Sequence, residues 1–175
     1  MFFECLNFLV VKKMPHFSML ILTVGVPGSG KTRWVNEYTK QHPYTHVVST
    51  DAIRKECTGV EQCIDPSQND WIHDEARRRV KNIIDDPHWY APNAVGFGPE
   101  IIVDSTNVNV DEWIKYKALK PSVILAKVFN TPVDEAMKNQ ENRERKVPRE
   151  IVQMKWDELQ KNKKYLPFIF NMILD

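Results

Sequence analysis

The sequence has few of the features that mark proteins that span a membrane or that are stabilised by disulfides or by a bound metal. It contains only three cysteines in 175 residues, Cys5, Cys57 and Cys63. An odd number of cysteines without CxxC spacing fits neither a disulfide framework nor a thiolate metal site, so we expect free thiols in a reducing cytoplasm. No hydrophobic run approaches the roughly 20 residues that span a membrane. We therefore expect a cytoplasmic protein whose hydrophobic core is large enough to be stable without disulfides or a structural metal.

An excess of charge of either sign is also missing. The chain carries 24 Lys+Arg against 23 Asp+Glu, a formal net charge of +1. No overall field therefore favours a membrane surface or nucleic acid, and any basic surface must be local.

The sequence shows no internal repeats and no linkers. Residues 1–11 are apolar, but Glu4 and Asn7 interrupt them and no basic segment precedes them, so we expect no secretory signal. We predict one domain over residues 19–175. The preceding extension, residues 1–18, is an edge strand, a disordered arm or a stretch upstream of the true start.

A glycine-rich motif follows the first predicted strand, residues 19–24. It reads Gly25-Val26-Pro27-Gly28-Ser29-Gly30-Lys31-Thr32 and opens a predicted helix over residues 31–41. The glycines allow backbone dihedrals closed to other residues, so that successive N–H groups surround an anion. The helix adds its unpaired amides and positive dipole end. The pattern predicts a phosphate-binding loop in which Lys31 reaches the β/γ-phosphates and Thr32 ligates Mg²⁺.

Two acids follow the next two predicted strands. The strand over residues 45–50 ends at Asp51, and the strand over residues 100–103 ends at Asp104. Strands that alternate with helices predict an α/β fold, a P-loop NTPase-type parallel sheet with helices on both faces and a helical lid. Ligands of such sheets bind at the carboxyl ends of the strands, so the loop and both acids converge on one edge.

The rest of the chain completes this alternation. Further elements are predicted as helices over 51–59, 66–86, 111–119, 131–146 and 148–161, a strand over 122–129, and a closing strand or helix end over 165–174. Thr131 is predicted to cap its helix.

The basic run 77–79 is interpreted as a solvated helix face. The irregular stretch 87–99, with Trp89-Tyr90, is a substrate-side loop or a connector.

This constellation fits phosphoryl transfer, which requires held phosphates, neutralised charge and an aligned acceptor oxygen. Asp51 can accept the acceptor's proton or only cap a helix. Arg54 can hold a phosphate or carboxylate of the acceptor, or form a surface ion pair. Asp104 is a direct or water-mediated partner of Mg²⁺.

Two further arginines, Arg143 and Arg145, are candidates to reach over the transferring phosphoryl group. Because Glu141 and Glu144 flank them, a salt-bridged helix is the alternative.

The motifs together resemble one family in order along the chain. The glycine-rich motif, Asp51-x-x-Arg54, Asp104-x-Thr106-Asn107 and a basic stretch ending at Val147-Pro148 resemble the kinase domain of bacteriophage polynucleotide kinase. The resemblance implies transfer of the ATP γ-phosphate to a 5′-hydroxyl of DNA or RNA, in the host cytoplasm if phage-encoded. It implies Asp51 as general base, Arg54 as anchor of the acceptor phosphate and Arg143 or its neighbour as lid arginine.

One element departs from that family. Its lid usually reads Arg-Asn-x-x-Arg, whereas this chain has Lys138-Asn139-x-x-Asn142. The same scaffold also serves kinases of nucleosides, sugars, antibiotics, sugar nucleotides and hydroxymethylated bases, which a neutral net charge favours. Arg54 and the aromatic pair Trp89-Tyr90 favour a nucleic-acid acceptor. The sequence contains no Asn-Lys-x-Asp motif, which GTPases use to recognise guanine, and this argues against a GTPase switch.

Overall fold

The structure, a computed structural model, describes residues 17–59, 68–86, 98–141 and 146–174. Within these ranges five strands form one sheet: β1 (Met19–Val24), β2 (His46–Ser49), β3 (Glu100–Asp104), β4 (Val123–Val128) and β5 (Met172–Leu174). Every pairing is parallel and the order is β2-β3-β1-β4-β5, so β1 lies at the centre.

Helices connect successive strands and cover the sheet. They are α1 (Lys31–Gln41), α2 (Thr50–Thr58), α3 (Gln68–Asp85), α4 (Val110–Lys117), α5 (Val133–Glu141), α6 (Arg149–Asn162) and α7 (Leu166–Ile169), with a 3₁₀ turn at Lys163–Tyr165. The predicted α/β parallel sheet flanked by helices is confirmed. No helix in the described part of the chain is long and apolar enough to cross a membrane.

The two faces of the sheet bury different residues of the same strands. On one face, Leu20 and Leu22 of β1 pack with residues of α2, α3, α4, α6 and α7. On the other face, Ile21 packs with Ile102 and with Val35 of α1. Parallel strands buried on both sides read as continuous apolar runs, which explains why Met19–Val24 shows no alternation.

Most predicted boundaries agree with these elements. β1 and α1 have the predicted bounds, while β2 is one residue shorter at each end and Thr50 already belongs to α2. Residues 165–174 contain both a helix end and a strand. The N-terminal extension is described only at residues 17 and 18.

The basic run on α3 differs from a simple solvated face. Arg78 pairs with Glu75, and Arg79 pairs with Glu75 and with Glu56 of α2. Arg77, only 12% exposed, pairs with Asp74 and reaches Glu112 of α4. Sequence alone missed this partly buried contact because Glu112 lies 35 residues from Arg77.

Candidate active site

The phosphate loop leaves β1 at Gly25 and enters α1 at Lys31, as predicted. Gly30 is the residue before the helix, and its φ of 95° lies in the left-handed region that glycine tolerates. The Ser29 N–H donates to the Val26 carbonyl at 3.2 Å and closes a turn across Pro27 and Gly28. Proline followed by a positive-φ glycine is the signature of a type II turn. The sequence therefore encodes the shape of the loop locally.

Gly28 is required for contact with α5 as well as for its φ of 85°. A Cβ at this position would overlap the Ala136 carbonyl oxygen. The backbones of the loop and of α5 are thus in direct contact, with Val26 packed in a cluster formed with α5 and α6. The helical pair α5–α6 lies against the loop, where the lid is expected.

Lys31 is buried, with 8% of its surface exposed, and its Nζ donates to the Val26 carbonyl at 2.7 Å. Its ammonium therefore lies inside the loop. A buried ammonium beside backbone amides and a helix N-terminus is suited to hold an anion.

Thr32 and Asp104 come together, as the sequence predicted for a metal pair. The Thr32 hydroxyl donates to Asp104 Oδ2 at 3.0 Å, and Asp104 is 9% exposed at the end of β3. Both side chains offer oxygen atoms, the ligands that Mg²⁺ prefers. These two residues are therefore the ones that would hold a Mg²⁺ ion beside the phosphate loop.

The segment after Asp104 is fixed to β1 by hydrogen bonds. Asn107, with φ of 43°, donates to the Thr23 carbonyl at 2.9 Å, and the Trp113 indole donates to the Asn107 carbonyl at 2.6 Å. The Gly25 N–H donates to the Thr106 carbonyl at 2.9 Å. These bonds hold Asp104 beside the loop, which gives Asn107 of the Asp-x-Thr-Asn motif a structural role.

Asp51 and Arg54 lie in the first turns of α2. Arg54 Nη1 donates to Asp51 Oδ1 at 2.6 Å, and Arg54 Nη2 donates to Asn69 Oδ1 of α3 at 3.2 Å. The Asp51 side chain is 54% exposed while that of Arg54 is 7% exposed. Ser49, whose hydroxyl accepts from the Ala52 N–H at 3.3 Å, caps the helix. Asp51 is thus not the cap, and Arg54 is not a surface pair.

Two strand ends place these groups near the loop. Ser49 of β2 is the register partner of Asp104 of β3, and β3 pairs with β1, from which the loop departs. Asp51 follows Ser49 by two residues. The loop, Asp104 and the Asp51–Arg54 pair therefore share the carboxyl edge of the sheet.

Behind this pair, His73 of α3 lies in a polar cluster with Glu112. Burial lowers the pKa of His73 below its ordinary 6.5; Glu112 opposes this shift, and Arg77, Arg54 and Lys155 add to it. His73 Nδ1 lies 3.7 Å from Glu112 Oε2. The imidazole is therefore neutral at pH 7.

Several predicted features lie outside the described residues: Arg143, Arg145, Trp89-Tyr90, Cys5 and Cys63. Cys57 is exposed and free.

Sequence reasoning also missed three contacts of the site, made by Asn69, Thr131 and Asn139. Thr131, expected as a helix cap, donates its hydroxyl to the Ser29 carbonyl at 3.0 Å. Asn139 donates to the Gly28 carbonyl at 3.0 Å.

Solved structures with similar folds include chains of the Pnkp1/Rnl/Hen1 RNA repair complex. The first aligns with a TM-score of 0.70 and 20% sequence identity, and the alignment covers 87% of this chain and 47% of that one. The second aligns with a TM-score of 0.58 and 21% sequence identity, and the alignment covers 77% of this chain and 42% of that one. This chain thus spans about half the length of those two.

Two small-molecule kinases share the fold over most of their own length. A gluconokinase from Sinorhizobium meliloti 1021 aligns with a TM-score of 0.58 and 14% identity over 91% of this chain and 82% of its own. Shikimate kinase from Acinetobacter baumannii, in complex with shikimate, aligns with a TM-score of 0.53 and 11% sequence identity over 89% of this chain and 82% of its own. At these identities the likeness is one of fold.

No curated protein matches the sequence. The AAA_33 family, described as an AAA domain, matches residues 20–165. This range covers the phosphate loop, the Asp51–Arg54 pair, Asp104 and α6. The chain therefore belongs to the AAA_33 family of AAA domains and has the P-loop kinase fold.

Proposed function

We propose that this protein is an ATP-dependent kinase that transfers the γ-phosphate to the 5′-hydroxyl of a polynucleotide, DNA or RNA. The observation that carries the proposal is the Asp51–Arg54 pair at the sheet edge that bears the phosphate loop. A half-exposed carboxylate suits a proton acceptor, and a buried arginine suits a phosphate anchor. The motif resemblance to bacteriophage polynucleotide kinase supports the same acceptor.

On the nucleotide side, the loop amides and Lys31 hold the β- and γ-phosphates. Arg143 and Arg145, which follow α5 in the sequence, are proposed to reach the transferring group. Mg²⁺ held by Thr32 and Asp104 would neutralise charge on the phosphate oxygens. The protein thus contributes positioning and charge, which is most of what phosphoryl transfer requires.

On the acceptor side, Asp51 takes the proton of the attacking hydroxyl. A bond forms between the acceptor oxygen and the γ-phosphorus, the bond from that phosphorus to the β,γ-bridging oxygen breaks, and ADP leaves. Arg54 holds the acceptor's adjacent phosphate by two N–H groups. Because Asn69 and Asp51 both accept from Arg54, the guanidinium is oriented before the acceptor arrives.

A small hydroxylated molecule is the second candidate acceptor. The gluconokinase and shikimate kinase folds are matched over 82% of their lengths, and a net charge of +1 provides no general attraction for a polyanion. A carboxylate or phosphate on such a molecule would fit Arg54 equally well.

The experiment that tests the proposal offers radiolabelled ATP and Mg²⁺ with several acceptors side by side. These are 5′-hydroxyl DNA and RNA oligonucleotides, their 5′-phosphorylated controls, mononucleosides, hydroxymethyl-base DNA, gluconate and shikimate. We expect label on the 5′-hydroxyl oligonucleotides and none on the 5′-phosphorylated controls. Label on a small acceptor alone would establish the second candidate instead.

A further inference from the structure

Two side chains from the segment after β4 hold consecutive carbonyl groups of the phosphate loop. Asn139 Nδ2 donates to the Gly28 carbonyl and Thr131 Oγ1 donates to the Ser29 carbonyl, both at 3.0 Å. These contacts cross 111 and 102 residues of sequence.

The direction of a carbonyl fixes the direction of the next amide. A peptide group is planar and trans, so its C=O and N–H point to opposite sides. With the Ser29 carbonyl held by Thr131, the Gly30 N–H points away from Thr131. With the Gly28 carbonyl held by Asn139, the Ser29 N–H points to Val26, whose carbonyl it meets at 3.2 Å.

The first orientation is of the kind that an anion site requires, and the second closes the Val26–Ser29 turn that shapes the loop. An N–H group contributes to an anion site only when its peptide plane is turned toward the anion. Gly28 and Gly30 both have positive φ, where glycine moves freely, so the glycines alone do not fix these planes. The carbonyl contacts supply that restraint.

The surroundings of the two contacts are close-packed. Gly28 touches the backbone of α5 at Ala136. Gln140, next to Asn139, is 4% exposed, and its Oε1 accepts from the Val147 N–H at 3.3 Å. Asn139 itself is exposed, but its backbone belongs to a helix that is anchored to the loop at Ala136 and buried at Gln140.

We propose that Thr131 and Asn139 are positioning residues that preorganise the phosphate loop for the β-phosphate of the nucleotide. This role rests on the proposed nucleotide binding and requires no particular acceptor. Each contact contributes as one hydrogen bond, typically about 1 kcal/mol net, which corresponds to about a fivefold change in affinity.

The test is titration of the folded full chain with MgADP and with AMP by calorimetry. Thr131→Val keeps the shape and removes the hydroxyl, and Thr131→Ser restores it. Asn139→Ala and Asn139→Asp both remove the amide donor. We expect Thr131→Val and the two Asn139 variants to bind ADP about 2- to 10-fold more weakly, with AMP affinity unchanged and Thr131→Ser close to wild type.

Two variants serve as matched controls. Thr39→Val removes a hydroxyl that donates to the Val35 carbonyl at 3.0 Å within α1. Asn162→Ala removes an amide that donates to the Val108 carbonyl at 2.9 Å. Both delete the same kind of bond away from the loop, so their ADP affinity should stay at the wild-type value.

Two results would overturn the inference. One is wild-type ADP affinity in Thr131→Val and Asn139→Asp, and the other is an equal loss of ADP and AMP affinity. Thermal unfolding of each variant shows whether it is folded, and Thr131→Ser keeps the test usable if Thr131→Val is not. A wild-type chain that binds no ADP would instead overturn the proposed function.

Discussion

The proposed nucleotide half and the proposed acceptor half of the site are built in different ways. The phosphate loop is buried, and side chains of the segment after β4 hold its carbonyls. The acceptor half consists of one ion pair on α2, supported by Asn69, with Asp51 half exposed. A site of this kind fixes the common substrate by backbone and leaves the variable substrate to a few side chains. Substitutions should therefore separate the two halves.

The largest expected effect is that of Asp51→Asn. General-base catalysis is typically worth about 10²- to 10⁴-fold, so kcat should fall by that factor while KM for ATP changes little. Steady-state kinetics with the acceptor identified by the labelling experiment measures both. Asp111→Asn, which removes another first-turn acid, is the control and should be silent. Unchanged kcat in Asp51→Asn would remove Asp51 from the mechanism.

Arg54→Lys should affect the acceptor alone. Lysine keeps the charge but cannot form a bidentate hydrogen bond with the acceptor phosphate, so KM for the acceptor should rise about 10- to 100-fold. Arg78→Lys alters an exposed arginine that meets Glu75 with two bonds, at 2.7 and 2.8 Å, and serves as the control. A defect confined to KM for ATP would contradict the assignment of Arg54 to the acceptor half.

Gly28→Ala should damage the nucleotide half through packing. The added methyl group meets the α5 backbone, and overpacking typically costs about 1–3 kcal/mol in the free energy of unfolding. Gly59→Ala is the matched control, since its φ of 78° is also positive but nothing lies near its Cβ. Urea unfolding should show the larger loss for Gly28→Ala. Equal losses would mean that the contact with α5 contributes nothing.

The smallest effect is a dependence of stability on pH through His73, behind the acceptor half. Its folded pKa is lowered, so below about pH 6.5 the unfolded chain binds a proton that the folded chain does not. Wild type should therefore lose up to about 1.4 kcal/mol per pH unit relative to His73→Gln as pH falls from 6.5 toward the folded pKa. Urea unfolding at pH 7.5 and 5.5 measures this difference. Parallel curves for the two proteins would contradict it.

The sequence predicted the phosphate loop and its two flanking elements well because these are encoded locally. A strand, a turn with Pro27 and Gly28, and a helix are encoded within residues 19–41, and β1 and α1 have the predicted bounds. The alternation of strands and helices likewise predicted the parallel sheet, but not its order, because periodicity carries no information on which strands are neighbours.

What sequence reasoning missed is long-range. The partners of Thr131 and Asn139 lie more than 100 residues away, and no local pattern marks them. Asn107 belongs to a local motif, but its bond to Thr23 depends on the pairing of β3 with β1, which no local pattern encodes. The roles of Asp51, Arg54 and Asp104 remain predictions, and those of Arg143 and Arg145 concern residues outside the described ranges.

The bond between Lys31 and the Val26 carbonyl has a consequence for how tightly a nucleotide can be held. An ammonium taken out of water is costly unless an acceptor compensates it, and here the chain itself supplies one. Because an ammonium has three N–H donors, an arriving phosphate oxygen would share Lys31 with that carbonyl oxygen. The contribution of Lys31 to the proposed nucleotide affinity is thereby moderated, which favours release of nucleotide at each turnover.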